Sequence, residues 1–116
     1  MKTYSNEQCQ SINLDESELM SLEWKNEGCD LKVETDWSGQ LNDGQIMAHN
    51  SSYLHFRFVT KLEINFSFKS QNMGKMGIDK LLIVDNDGMW SVRFVFEFQP
   101  VGHIQFVCDS LEFVVD

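Results

Sequence analysis

The stretch Asp85-Asn86-Asp87-Gly88-Met89-Trp90-Ser91-Val92-Arg93-Phe94-Val95-Phe96-Glu97-Phe98 decides the fold class. Its first four residues carry the chemistry of a tight hairpin turn, because an Asp-Gly pair accepts the positive φ angles such a turn requires. Behind the turn, Val92, Phe94, Phe96 and Phe98 occupy every second position, with Arg93 and Glu97 between them. A period of two sends successive side chains to opposite faces of a pleated strand, one face to bury and one to wet.

The same alternation recurs on either side. Leu31, Val33, Thr35 and Trp37 alternate with Lys32, Glu34 and Asp36, and Leu62, Ile64, Phe66 and Phe68 with Lys61, Glu63, Asn65 and Ser67. Counted this way, strands are expected over 19–25, 29–37, 53–59, 60–69, 78–84, 89–98, 103–108 and 111–115, separated by turns such as Asn26-Glu27-Gly28 and Gln99-Pro100-Val101-Gly102. The pattern predicts a mostly β chain: one antiparallel β sandwich or partly open barrel of about eight strands. Residues 1–13 are polar and aperiodic, which fits a loose terminus or one short helix. Residues 38–52 hold repeated turn chemistry (Ser38-Gly39, Asn42-Asp43-Gly44, Asn50-Ser51-Ser52), relieved only by a short strand over 45–48.

A chain of 116 residues fits a single domain over 1–116. No apolar run approaches the ~18–20 residues of a membrane helix, and residues 1–7 lack the apolar core of a signal peptide. A cytoplasmic location follows as the expectation. Cys9, Cys29 and Cys108 cannot all pair within one chain and have no Cys-x-x-Cys spacing, so reduced thiols, no metal and no cofactor are expected.

Eighteen acidic against nine basic residues give a formal charge of −9. The excess gathers in Glu7, Asp15, Glu16, Glu18, Glu23, Glu27, Asp30, Glu34 and Asp36, against only Lys25 and Lys32 in the same region. Such a surface repels phosphate backbones, which disfavours nucleic acid, and the lack of a long apolar run leaves no membrane partner expected. It attracts a basic protein, or serves solubility alone.

No catalytic constellation appears. Asp85-Asn86-Asp87-Gly88 looks like part of a calcium loop, but with Gly88 sixth the twelfth position is Phe94, which cannot ligate. His49, His55 and His103 are scattered, and His55 and Arg57 share the strand side opposite Leu54, Phe56 and Phe58. The candidate binding residues are Trp24, Trp37 and Trp90, as core lids or as the rim of a ligand site, and Glu34 with Asp36, as acidic outward positions. Tyr53, Val59, Val95 and Val114 are apolar on the outer side, the pattern of a face covered either by another element or by a second copy in a homodimer.

Asp15-Glu16-Ser17-Glu18-Leu19, then Leu22, then Gly28-Cys29-Asp30-Leu31-Lys32-Val33, with a closing Phe106-Val107-Cys108-Asp109-Ser110-Leu111-Glu112-Phe113, resembles small β-rich bacterial immunity proteins and mobile-gene-cassette proteins. Asp15-Glu16 stands where those immunity proteins carry His-Asp, and no functional residue carries over. The resemblance implies a non-enzymatic protein that binds and neutralises a partner. The alternative is a small-molecule binder or enzyme with an aromatic-lined cavity in a barrel mouth.

Overall fold

The hairpin forms where its chemistry predicts. Asp87 and Gly88 adopt φ of +54° and +87°, and they join strand β6 (Lys80–Asn86) to β7 (Met89–Glu97), whose ends Asn86 and Met89 face each other. The computed structural model describes residues 2–15, 17–40, 46–68, 76–97 and 100–115, excluding the side chains of 2, 37–40 and 46–51. The expected turn at Asn42-Asp43-Gly44 and the strand position of Phe98 lie outside the described residues.

The described strands are β1 (Lys2–Ser5), β2 (Glu18–Lys25), β3 (Asp30–Gln40), β4 (Ile46–Arg57), β5 (Thr60–Ser67), β6, β7, β8 (Val101–Cys108) and β9 (Ser110–Val115). They form two antiparallel sheets, β1-β9-β4-β3-β2 and β5-β8-β7-β6, stacked as a sandwich rather than closed as a barrel. Alternation decides which side of each strand is dry. Leu31, Val33, Leu54, Phe56, Leu111 and Phe113 from the larger sheet meet Val92, Phe94, Phe96, Ile104 and Phe106 from the smaller. The Phe56 ring sits 4.7 Å from Phe106 and 6.2 Å from Phe94, both edge to face, the arrangement favoured by the aromatic quadrupole. Two hydroxyls reach this dry layer, Thr35 and Ser52, and they bond each other at 2.5 Å.

Four expectations change. The N-terminus is not loose: β1 pairs with β9, and the one short helix expected there is a 3-10 turn over Asn6–Ser11. That turn seals one open side of the sandwich. Cys9 is buried there, Asn6 Oδ1 accepts the Leu111 N–H at 3.1 Å, and Gln10 Nε2 donates to the Ile83 carbonyl at 3.3 Å. Second, the polar Asn50-Ser51-Ser52 segment is strand, not turn, because its backbone pairs with Trp37, Asp36 and Thr35. Pairing along β3, with β9 joining at Ser52, outweighs local turn preference. Third, Ile78 precedes β6 instead of starting it and is buried, its N–H bonded to the Ser17 carbonyl at 2.7 Å.

The fourth change lies where the chain leaves the larger sheet for the smaller. Phe58 takes a φ of +54° and points outward, 60% exposed, while Val59 turns in to pack on the core. The alternation had placed them the other way, and the left-handed residue at the crossover inverts it. The return crossover, from β8 to β9, passes the same end, with the Asp109 N–H bonded to the Arg57 carbonyl at 2.9 Å. Among the described residues no helix is long and apolar enough to cross a membrane.

Candidate functional site

The outer face of the five-stranded sheet gathers most of the chemistry. Antiparallel register aligns Glu23, Lys32, His55 and Glu112 in one row across four strands, and Ser21, Glu34, Tyr53 and Val114 in the next. Neighbours in a row point to the same side. Lys25 Nζ meets Glu23 at 2.9 Å, and Lys32 Nζ meets Glu34 at 3.5 Å while also lying 4.5 Å from the centre of the Tyr53 ring. Exposed pairs of this kind add at most about 1 kcal/mol each, so they tidy the surface rather than hold the fold. Asp36 and Glu18 share one register position across β3 and β2.

Asp30 sits at the crossover end of this face and is buried. Its carboxylate meets His55 Nε2 at 2.9 Å, accepts the Phe58 N–H at 3.2 Å and accepts a bond from Asn26 Nδ2. Beyond the imidazole, His55 Nδ1 faces Glu112 at 3.9 Å, and Arg57 closes on that same carboxylate at 3.1 Å. Burial alone pushes the Asp30 carboxyl up, but the bonds from His55, the Phe58 amide and Asn26 outweigh it and hold it below its ordinary 3.8. An ionised Asp30 requires the proton on Nε2, and Nδ1 looks toward a second carboxylate. The ring therefore has no nitrogen directed at a nucleophile, and the cluster serves to pin the left-handed crossover at Phe58.

The sign of the pH dependence follows from that lowered value. A depressed carboxyl contributes stability that is full above its unfolded value of 3.8 and is lost as pH falls through the folded one. Denaturation midpoints measured between about pH 6 and pH 2 should fall steeply at the acid end. Asp30→Asn should flatten that fall. At neutral pH, Asp30→Ala should cost about 2–4 kcal/mol, because it strands the Phe58 N–H and the Asn26 amide. An equally steep acid limb in the Asn variant would show that other carboxylates carry the effect.

The expected site residues separate. Glu34 and Asp36 do share the outward face. Trp24 pairs with Leu31 and so points to the opposite side of the sheet, at the β2 edge, 45% exposed. Trp90 lies on β7 of the other sheet, half-buried against the core. The Trp37 backbone, in β3, pairs with Asn50 of β4, and its side chain lies outside the described residues. Tyr53 and Val95 lie on the outer faces of different sheets. The Asp30, His55, Arg57 and Glu112 cluster went unforeseen. The alternation does place His55 and Arg57 together, but it carries no signal that β9 lies beside β4 and brings Glu112.

Two concavities open among the described residues. An apolar cleft of about 280 Å³ opens between the β2 and β5 edges, lined by Leu19, Met20, Leu22, Ile64, Phe66 and Ile104 among others. A depression of about 370 Å³ lies on the outer face of the four-stranded sheet. Neither Trp24 nor Trp90 is among the described residues lining them. Burial pushes the Cys9 and Cys108 thiols up to about 12, which makes both inert, whereas Cys29 is exposed.

Fold and face together define a two-sheet antiparallel β sandwich with a charged outer face. A crystal structure of an uncharacterized protein from Neisseria gonorrhoeae is similar, with a TM-score of 0.61 over 97% of each chain at 7% identity. At that identity the likeness concerns the fold alone. No protein-family model and no curated protein sequence matches the chain.

Proposed function

We propose that this is a non-enzymatic binding protein whose acidic outer face, on the five-stranded sheet, engages a basic protein partner, in the manner of an immunity protein. The observation that carries the reading is the outward projection of Glu34 and Asp36 from one face, with Glu18 directly across from Asp36. Outward carboxylates on one face complement a basic surface brought against it. The filled interior supports the same reading. Phe56, Phe94, Phe96, Phe106 and Phe113 occupy the space between the sheets, and the barrel mouth required by a cavity-based binder or enzyme has no counterpart in two separate sheets.

A field of this kind acts mainly on the association rate. Pull-down from the source cell followed by kinetics should find a basic partner whose association slows as salt rises. Changing Glu34 and Asp36 together to lysine should slow it about tenfold or more at low salt. A partner that binds equally fast after both changes, without salt dependence, leaves solubility as the role of the charge.

A further inference from the structure

The outer face of the four-stranded sheet differs in kind from the acidic one. Register puts Val84, Ser91 and Val107 in one row and Leu82, Arg93 and Gln105 in the next. Ser91 is short, and its taller neighbours rise around it to form the 370 Å³ depression, a size within the range of small-molecule sites. Leu82 and Val84 are 46% and 57% exposed, a larger apolar display than a solvated sheet face needs.

Two cations border this apolar floor. Lys61 reaches it because β5 bulges between Thr60 and Glu63, where Lys61 itself takes a φ of +57°. A bulge re-aims a side chain that regular pairing would direct elsewhere. Arg93 comes from β7 on the other side. Lys25, Lys32 and Arg57, on the acidic face, are all ion-paired. Lys61 and Arg93 have no carboxylate within ion-pair distance among the described residues, in a chain that carries twice as many acids as bases. Glu63 closes the row of Leu82, Arg93 and Gln105 at the β5 end, and its carboxylate is already engaged, taking the Gln105 amide at 3.1 Å and facing His103 at 3.6 Å.

We propose that this depression binds an apolar monocarboxylate. The hydrocarbon part lies on Leu82, Val84 and Val107, and the carboxylate lies between the Arg93 guanidinium and the Lys61 ammonium. Apolar contact supplies the affinity, and the charge-assisted bonds select the acid over the neutral analogue. The site is separate from the acidic face and does not depend on its role.

Titrating octanoate into the isotope-labelled protein and following backbone amide shifts tests the assignment. Shifts should concentrate at Leu82, Val84, Ser91, Arg93, Gln105 and Val107. Octanol and acetate should each bind at least about tenfold more weakly, since each lacks one half of the recognition. Arg93→Gln combined with Lys61→Gln should weaken octanoate about tenfold or more while leaving the spectrum dispersed. The same loss of charge at Lys25→Gln, on the other sheet, should leave binding unchanged. Equal affinity for octanol and octanoate, undiminished binding in the folded double variant, or shifts confined to Leu22, Ile64 and Ile104 in the inter-sheet cleft would each overturn the proposal.

Discussion

Truncating Phe94 to alanine is expected to destabilise the protein by about 3–5 kcal/mol, and Phe96→Ala by a similar amount. Both side chains are 1% exposed and both are held by rings on other strands. Phe94 meets Phe56 across the sandwich, and Phe96 meets Phe66 on β5 at 5.2 Å. Removing either ring loses its transfer free energy and leaves a void that two hydrogen-bonded sheets cannot close. The informative control is Phe58→Ala. That ring is 60% exposed, so its loss should cost under about 1 kcal/mol despite identical chemistry. Chemical denaturation of the three variants separates burial from residue type. A loss under about 1 kcal/mol at both Phe94 and Phe96 would contradict the register.

The second large effect is expected at Gly102. It takes a φ of +148° on β8, opposite Phe66 and Phe96. A Cβ added there would come within 1.8 Å of the Asn65 carbonyl oxygen and 2.9 Å of its carbon. These are backbone atoms of the neighbouring strand, so no rotamer change relieves the clash. Gly102→Ala must push β5 away from β8 or bend β8 itself, on top of the strain of a left-handed L-residue, for a cost of about 3 kcal/mol or more. Hydrogen exchange should show the loss concentrated at the β5 amides, with the larger sheet still protected. Thermal unfolding within about 1 °C of the parent would show that β5 yields at little cost.

The predicted strands are recovered because their signal is local. In β7 each residue's side is set by its neighbours two positions away, and the Asp87-Gly88 turn needs no distant partner. The misplaced segments fail for a shared reason. β1 has only four residues, too few to show a period, and exists because the β9 edge is there to receive it. Asn50-Ser51-Ser52 carries turn chemistry that pairing with β3 overrules, with β9 joining at Ser52. At Phe58 the alternation runs on past a point where the backbone reverses hand, so Phe58 and Val59 exchange sides.

Of the candidate site, the shared face of Glu34 and Asp36 was legible, since it needs only the pleat of one strand. The tryptophans were not separable from sequence. Trp24 and Trp90 both occupy inward positions of their strands, and only the sheet order shows that one ends an exposed edge while the other packs on the core. Local alternation, composition and turn chemistry thus determined by themselves that this is an antiparallel β protein with an acid-rich region and aromatic inner faces. Tertiary structure decided which strands are neighbours, and with them every feature that joins distant residues. It brought Asp30, His55 and Glu112 together, sealed one side with the Asn6–Ser11 turn, and set Lys61 and Arg93 around one apolar floor. Side-chain direction is written in steps of two residues. Strand order depends on which apolar faces and unpaired edges fit one another once the chain has collapsed, and no short window of sequence carries that information.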